Sequence, residues 1–267
     1  MRNVPSVSGR TALITGASSG IGEEFARQLA ARGANLVLVA RSLDRLDALA
    51  ESLRTTHRVD VVTEKLDLSA PDASDQLFRR TTQLGISVDI LVNNAGLDFL
   101  GPATELPVPK LAALIDLNVR TVLENTVRFL PAMTAQGDGV IINVASTAAF
   151  GPAPYMAAYG ASKACVLSFT QAVSAENAGT GVRILALCPG PTETPMMSGR
   201  DSPLGKKRTP EHVVDTALKA LSTRKTSVVD GPLNAFFARV VARLPASVLL
   251  TMATRTMKGR ATASTTG

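Results

Sequence analysis

At 267 residues, with 45% apolar and 19% charged side chains, the chain is long enough for one large buried core and is too apolar for a disordered protein. Its formal charge of +6 is uneven: residues 219–260 hold eight basic side chains and one acid, whereas the first 218 are net −1. That excludes a general nucleic-acid binder, whose basic stripe would cross the fold, and two histidines with two cysteines exclude a His/Cys metal cluster and a disulfide framework.

No apolar leader core precedes the first motif and no run reaches membrane-spanning length, so a cytoplasmic protein is expected. In chain order, short β-branched runs at 11–15, 36–40, 60–64, 89–93, 140–145 and 182–188 read as strands, with a seventh at 227–230. They are apolar almost throughout, as parallel strands covered on both faces are. Helical periods fill 22–32, 44–55, 110–133, 156–176 and a stretch around 211–221. This alternation predicts an α/β fold, a doubly wound parallel sheet of the Rossmann type, as one domain over 1–267. Residues 192–210, rich in Pro, Gly and charge, read as a mobile loop, and the small polar residues 261–267 as disordered. Cys165 and Cys188 both lie in apolar runs, which predicts buried free thiols.

Where the first strand gives way to the first helix stands Thr15-Gly16-Ala17-Ser18-Ser19-Gly20-Ile21-Gly22. Glycines there permit a tight turn and close approach of backbone to a pyrophosphate, and the helix start offers free N–H groups. A dinucleotide site specific for NAD places a carboxylate on the adenosine ribose roughly twenty residues further on. Here Ala40 is followed by Arg41 and Ser42. A guanidinium matches a phosphate, so the pattern predicts NADP(H).

Tyr159 and Lys163 stand four apart on a helical stretch and so share a face. A phenol ordinarily titrates near 10, and a neighbouring ammonium and the positive charge of an oxidised nicotinamide both favour its ionised form. The pair therefore suits proton transfer near working pH, with the Ser146 hydroxyl placed to bond a substrate oxygen as charge develops.

With Asn93-Asn94-Ala95-Gly96, Asn118, Ser146, the Tyr159-x-x-x-Lys163 spacing and the Pro189-Gly190 pair followed by Thr194, the glycine loop makes the chain similar to the short-chain dehydrogenase/reductase family. The likeness spans about 10–194 and lies with compact bacterial reductases. The resemblance implies an oxidoreductase, a ketoreductase in the reductive direction, that moves a hydride between NADP(H) and a carbonyl or alcohol carbon. It implies a catalytic set of Asn118, Ser146, Tyr159 and Lys163, with Asn118 holding a water and Lys163 also binding the nicotinamide ribose. It assigns cofactor contacts to Gly16, Ser18, Ser19, Gly20, Ile21 and Gly22, to Asn94, Ala95 and Gly96, and to Pro189, Gly190 and Thr194. Asp67 and Leu68 fall at the adenine position, though Asp67 could instead cap a loop. Asn93 is expected to be structural. Family members pair through helices here at 110–133 and 156–176, so a homodimer or homotetramer is expected.

Leu97, Phe99, Phe150, Met156, Met196 and Met197 are candidate substrate-lining residues, with Tyr155 as pocket wall. Their apolar character points to a lipophilic small molecule. Two rival readings are an epimerase or dehydratase that uses the cofactor transiently, and a non-catalytic cofactor-binding protein. The glycine spacing disfavours the first and the intact Tyr–Lys pair the second.

The extension at 231–260 spaces Phe236, Phe237, Val240, Val241 and Leu244 by threes and fours, interrupted by Arg239 and Arg243, as in an amphipathic helix. A second helical segment is expected at 246–257. Its fates are a lid on the substrate side, a subunit contact, or peripheral contact with an anionic membrane. Ordinary packing against the domain or a second copy is the first expectation; the hypothesis beyond it is closure over the substrate side, chiefly through Phe236 and Phe237.

Overall fold

The computed structural model describes residues 7–200, 206–245, 247, 249–251 and 254. The expected disorder at 261–267, most of the expected second tail helix and the middle of the 192–210 loop lie outside the described residues.

Seven parallel strands form one sheet, β1 (Thr11–Thr15), β2 (Asn35–Ala40), β3 (Val61–Lys65), β4 (Ile90–Asn93), β5 (Gly139–Val144), β6 (Val182–Cys188) and β7 (Ser227–Val229). Their order is β3-β2-β1-β4-β5-β6-β7. The winding reverses between β1 and β4, so the loops leaving those two strands part and leave a crevice at the carboxyl edge. β5 and β1 are buried at nearly every position, which is why their sequences read as continuous apolar runs rather than alternating ones.

Helices α1 (Gly20–Ala30), α2 (Leu43–His57) and α3 (Ala73–Gln83) alternate with the first strands. α1 buries Phe25, Ala26, Leu29 and Ala30, one stripe at helical spacing. Phe25 is fully buried, and its truncation to Ala would cost about 3–5 kcal/mol. α3 was absent from the sequence reading: its exposed face is strongly polar, and Leu77 is its one large fully buried side chain.

The expected helix at 110–133 is three pieces, α4 (Val108–Ile115), a π-helical turn (Asp116–Arg120) and α5 (Thr121–Gln136). Hydrophobic period does not report such a bulge, which changes the hydrogen-bond pattern and not the composition; such bulges are frequent at functional sites. Asn118 lies in it. α6 (Ala157–Glu176), α7 (Pro210–Ala220) and α8 (Pro232–Val241) complete the helices. The 192–210 segment is more ordered than its composition suggests at its ends: Thr192 and Arg208 form a β-bridge, and Pro195–Met197 is a 3-10 turn.

A chain of buried amides pins the sheet centre. Asn93 donates to Asn143 Oδ1 at 2.9 Å, Asn125 donates to Asn93 Oδ1 at 3.0 Å, and Ser74 donates to Asn125 Oδ1 at 2.8 Å. Asn143 in turn donates to Thr170 at 3.0 Å. Every member is almost fully buried, so removing any one strands its neighbour without a partner. Cys188 is buried as expected, but Cys165 is exposed: it sits on the outer face of α6, where an apolar run in sequence is no guide to which side faces solvent.

Candidate functional site

A cavity of about 940 Å³ runs along the carboxyl edge of the sheet, from the β1–α1 loop to the loops after β5 and β6. At one end are Gly16, Ser18, Ser19, Gly20 and Ile21, with Arg41 and Ser42 after β2. Gly16 has φ of 67° and Gly20 of 59°, the left-handed region that favours glycine. A Cβ on Gly16 would stand 2.9 Å from Ala95 Cα, so this turn and the β4 loop touch backbone to backbone. Thr15 locks them together: its hydroxyl accepts from the N–H of Asn94 at 2.9 Å and of Ala95 at 3.0 Å. Gly22 departs from expectation. It is off the cavity wall, and a Cβ there would stand 2.3 Å from Gly16 O; its role is to let α1 pack under the turn.

Ser19 opens α1 without a side-chain cap. The free N–H groups of that first turn therefore face the cavity, with the positive end of the helix dipole behind them. That is a cradle for a pyrophosphate, and a dinucleotide fits it. Thr194, from the loop after β6, closes the cradle; its methyl lies 3.0 Å from where a Cβ of Gly20 would be. Beside Arg41 on the wall is Arg45, which donates to Ser42 Oγ at 2.9 Å. The sequence reading missed Arg45; its spacing of four from Arg41 was the available signal. Asp67 and Leu68 also line this end. The Asp67 carboxylate accepts from Ser69 N at 3.0 Å and from Ser69 Oγ at 2.7 Å. These bonds hold its carboxyl below the usual range, helped by Arg41. Asp67 thus caps its loop and lines the cavity at once.

Toward the middle and the other end lie Asn94, Ala95, Gly96, Leu97, Ser146, Tyr159, Lys163, Pro189, Gly190 and Thr194, all on the wall. Ser146 starts a 3-10 turn (Thr147–Phe150), and its hydroxyl accepts from Ala148 N at 3.1 Å. Tyr159 and Lys163 project from one face of α6, with Lys163 Nζ 5.9 Å from the Tyr159 ring centre. Nζ donates to Val144 O at 2.7 Å, which tethers the ammonium to the end of β5. Burial pulls the Lys163 pKa down to about 8. For Tyr159 the protein's own surroundings work against ionisation. Burial pushes the phenol up, the Ser146 hydroxyl beside it pulls down, and Asp98 pushes up again. Desolvation of a phenolate outweighs what the protein's own groups offer it.

Asn118 is fully buried and off the wall. Its amide oxygen accepts from Leu97 N at 2.8 Å, and its nitrogen donates to Leu97 O at 2.8 Å and Ser162 Oγ at 3.1 Å. The side chain thus splints the β4 loop to α6. Met156, Met196 and Met197 line the cavity as expected. Phe99, Phe150 and Tyr155 do not. Phe150 packs on the apolar cluster around Val166 and Cys188, Phe99 sits under the Lys110 ammonium, and Tyr155 stands at φ 62° in the turn between the wall residues Pro154 and Met156. The sequence reading also missed Asp98 and Arg200, an ion pair on the cavity wall. A separation of 102 residues leaves no local signal.

α8 covers the far side. Phe237, Val240, Val241 and Leu244 line the cavity, whereas Phe236 points outward and is 59% exposed. A Cβ on Gly151 would stand 2.6 Å from Val241, so the helix rests directly on the loop after β5. Among the described residues no helix is long and apolar enough to cross a membrane.

Residues 10–204 match the model of the short chain dehydrogenase family. The 7β-hydroxysteroid dehydrogenase of Mediterraneibacter gnavus is 34% identical over 233 residues, 85% of this chain and 88% of that protein. A solved structure of a 7β-hydroxysteroid dehydrogenase superimposes with a TM-score of 0.85 at 31% identity, covering 94% of this chain and 99% of that one. A short-chain dehydrogenase from Sphingobium yanoikuyae in complex with NADPH does so with 0.78 at 32% identity, covering 88% and 96%. The edge-on crevice, the uncapped glycine turn and the Tyr–Lys face are therefore those of an oxidoreductase, and this chain belongs to the short-chain dehydrogenase family.

Proposed function

We propose that the protein is an NADP(H)-dependent reductase of a bulky, lipophilic carbonyl compound, with Ser146, Tyr159 and Lys163 as its catalytic residues. The observation that carries this is the single cavity joining an arginine-flanked glycine cradle to a Tyr–Ser–Lys cluster with apolar walls beyond it. The nicotinamide supplies the hydride. Tyr159, whose burial keeps the phenol protonated at neutral pH, donates a proton to the oxygen of the carbonyl as hydride reaches its carbon. Ser146 donates a hydrogen bond to the same oxygen. Lys163, with a pKa of about 8, is mainly ammonium at pH 7 and would hold the ribose hydroxyls. Asn118 keeps the β4 loop and α6 in register, and Asn94, Ala95 and Gly96 would present backbone to the nicotinamide half.

Arg41, Arg45 and Ser42 would take the 2′-phosphate, where Ala40 offers no competing acid. The wall formed by Leu97, Met196, Phe237 and Val241 suits a large apolar body. Relatives named for hydroxysteroid and very-long-chain 3-oxoacyl-CoA chemistry support that class. Exposed Val108, Ile115 and Val127 on α4, α5 support pairing with a second copy, which light scattering would read. The test of the function is stoichiometric: NADPH oxidation matched to alcohol formed across a panel of steroid, aryl and acyl ketones. A protein that binds NADPH and oxidises it with none of them would overturn the reading.

A further inference from the structure

Asn234 is 7% exposed, and what is exposed opens on the cavity. Its amide is held from two sides. The nitrogen donates to Asp230 O at 2.8 Å; because that partner is a carbonyl, the nitrogen must face it and the oxygen is the other atom. Against the opposite flank lies Gly190, where a Cβ would stand 2.3 Å from the amide nitrogen and 2.8 Å from Oδ1. Asp230 is itself clamped. Its fully buried carboxylate accepts from Arg208 Nε at 2.9 Å, Arg208 Nη2 at 3.0 Å and Thr216 at 2.7 Å. Arg208 continues the clamp through its backbone to Pro191 O and Glu193 N.

Among the described residues no donor meets Asn234 Oδ1. The described side-chain atoms that are both shut off from solvent and unpaired are Gln28 Oε1 and Arg183 Nε. Asn234 Oδ1 is not one of them, so it keeps surface open to the cavity, where an acceptor is paired by water or by a ligand. The clamp prevents this one from turning away. It stands in an otherwise apolar helix face, beside Phe237, Ala238 and Val241, all on the same wall.

We propose that Asn234 is a specificity-determining residue whose Oδ1 accepts a hydrogen bond from a hydroxyl of the substrate remote from the reacting carbonyl. The substrate class is thereby narrowed from lipophilic ketones to lipophilic hydroxyketones. This rests on the reading of the cavity as a reductase site. An acceptor fixed in advance costs no ordering when the ligand arrives, and a site that loses its donor is left unpaired, so discrimination against the deoxy analogue is large.

The test pairs two probes with three proteins. The probes are a steroid monoketone and the same ketone with one added hydroxyl; several hydroxyl positions are scanned. The proteins are the native chain, Asn234→Ala and Asn234→Ser. Calorimetric titration of each probe into the NADP⁺ complex reads binding without turnover, and steady-state kinetics read kcat/KM. The expected result is that one hydroxylated probe is preferred about tenfold or more by the native chain. That ratio collapses in both variants while NADPH affinity stays near native; melting temperature falls in Asn234→Ala, because the Asp230 carbonyl loses its donor. A ratio unchanged in either folded variant overturns the proposal. So does a fall in NADPH affinity with the ratio unchanged, which would give the acceptor to the nicotinamide carboxamide, and so does a native chain that prefers the deoxy probe at every position. Absence of turnover with both probes, alongside retained selective binding, would instead overturn the reductase reading alone.

Discussion

The two ends of the cavity are built by different means. The β1–α1 end is made of backbone: positive-φ glycines, free N–H groups of an uncapped helix start, and loops close enough to touch. The α8 end is made of side chains delivered by a helix more than a hundred residues beyond β4, resting on Gly151 and Gly190. Backbone geometry restricts which residues are allowed at each step of the chain. A side-chain wall restricts only size and polarity. The first end can therefore be read from consecutive residues, while the second depends on what folding brings together.

The sharpest way to break the comparison is at the junction between the ends. Tyr159→Phe should lower single-turnover hydride transfer by about 10²–10⁴, with NADPH affinity nearly unchanged because the phenol oxygen is not part of the cradle. Turnover close to native would remove Tyr159 from the chemistry and make the cluster merely structural.

The next effect tests the backbone end. Ala40→Asp combined with Arg41→Ser should reverse cofactor choice, costing NADPH about tenfold in affinity and helping NADH. Fluorescence titration of both cofactors reads it. Equal affinities in the native protein would argue that Arg41 and Arg45 are solvated surface charge.

A third test sets the charges of the two ends against each other through pH. The Lys163 ammonium is lost as pH rises through about 8, so KM for NADPH should climb above that point. Tyr159 has its pKa raised, so its proton stays on through neutrality and reduction should not weaken there for want of a donor. Alcohol oxidation, which needs the phenolate, should instead rise with pH. Asp98→Asn removes one cause of that raised pKa and should move the oxidative limb to lower pH. An unmoved limb would mean that Arg200 already cancels the Asp98 charge at Tyr159.

Legibility followed the same division. The strand–helix alternation, the glycine turn and the positions that bring Ser146, Tyr159 and Lys163 onto one cavity wall were readable because each is a local pattern with one physical reason. Gly22 was misplaced because a glycine needed for packing and one needed for ligand approach look alike in sequence. Phe150 and Tyr155 were placed on the wall because aromatic residues near a site can face either way, and neither a 3-10 turn nor a positive φ announces its direction. Asn234, Asp98 and Arg200 gave no signal, since their meaning lies in partners far along the chain. The surroundings of Tyr159 were partly hidden for a related reason: the spacing shows the nearby ammonium but not the depth of burial that works against it.

The smallest effect tests the side-chain end itself. Phe236 and Phe237 are neighbours on α8 with the same side chain, rings 5.9 Å apart, and sequence treated them as one lid. The structure separates them: Phe237 is on the cavity wall and Phe236 is 59% exposed. Phe237→Ala should raise KM for a bulky apolar ketone about three- to tenfold, a loss of part of one ring's contact, and change a small ketone little. Phe236→Ala should leave both unchanged, because the removed ring touches solvent rather than ligand. Helix propensity favours Ala at either position, so α8 remains formed and the two variants differ only in the face they alter. Equal shifts for both variants would mean that α8 acts by its presence alone, as a cover whose individual side chains do not read the substrate.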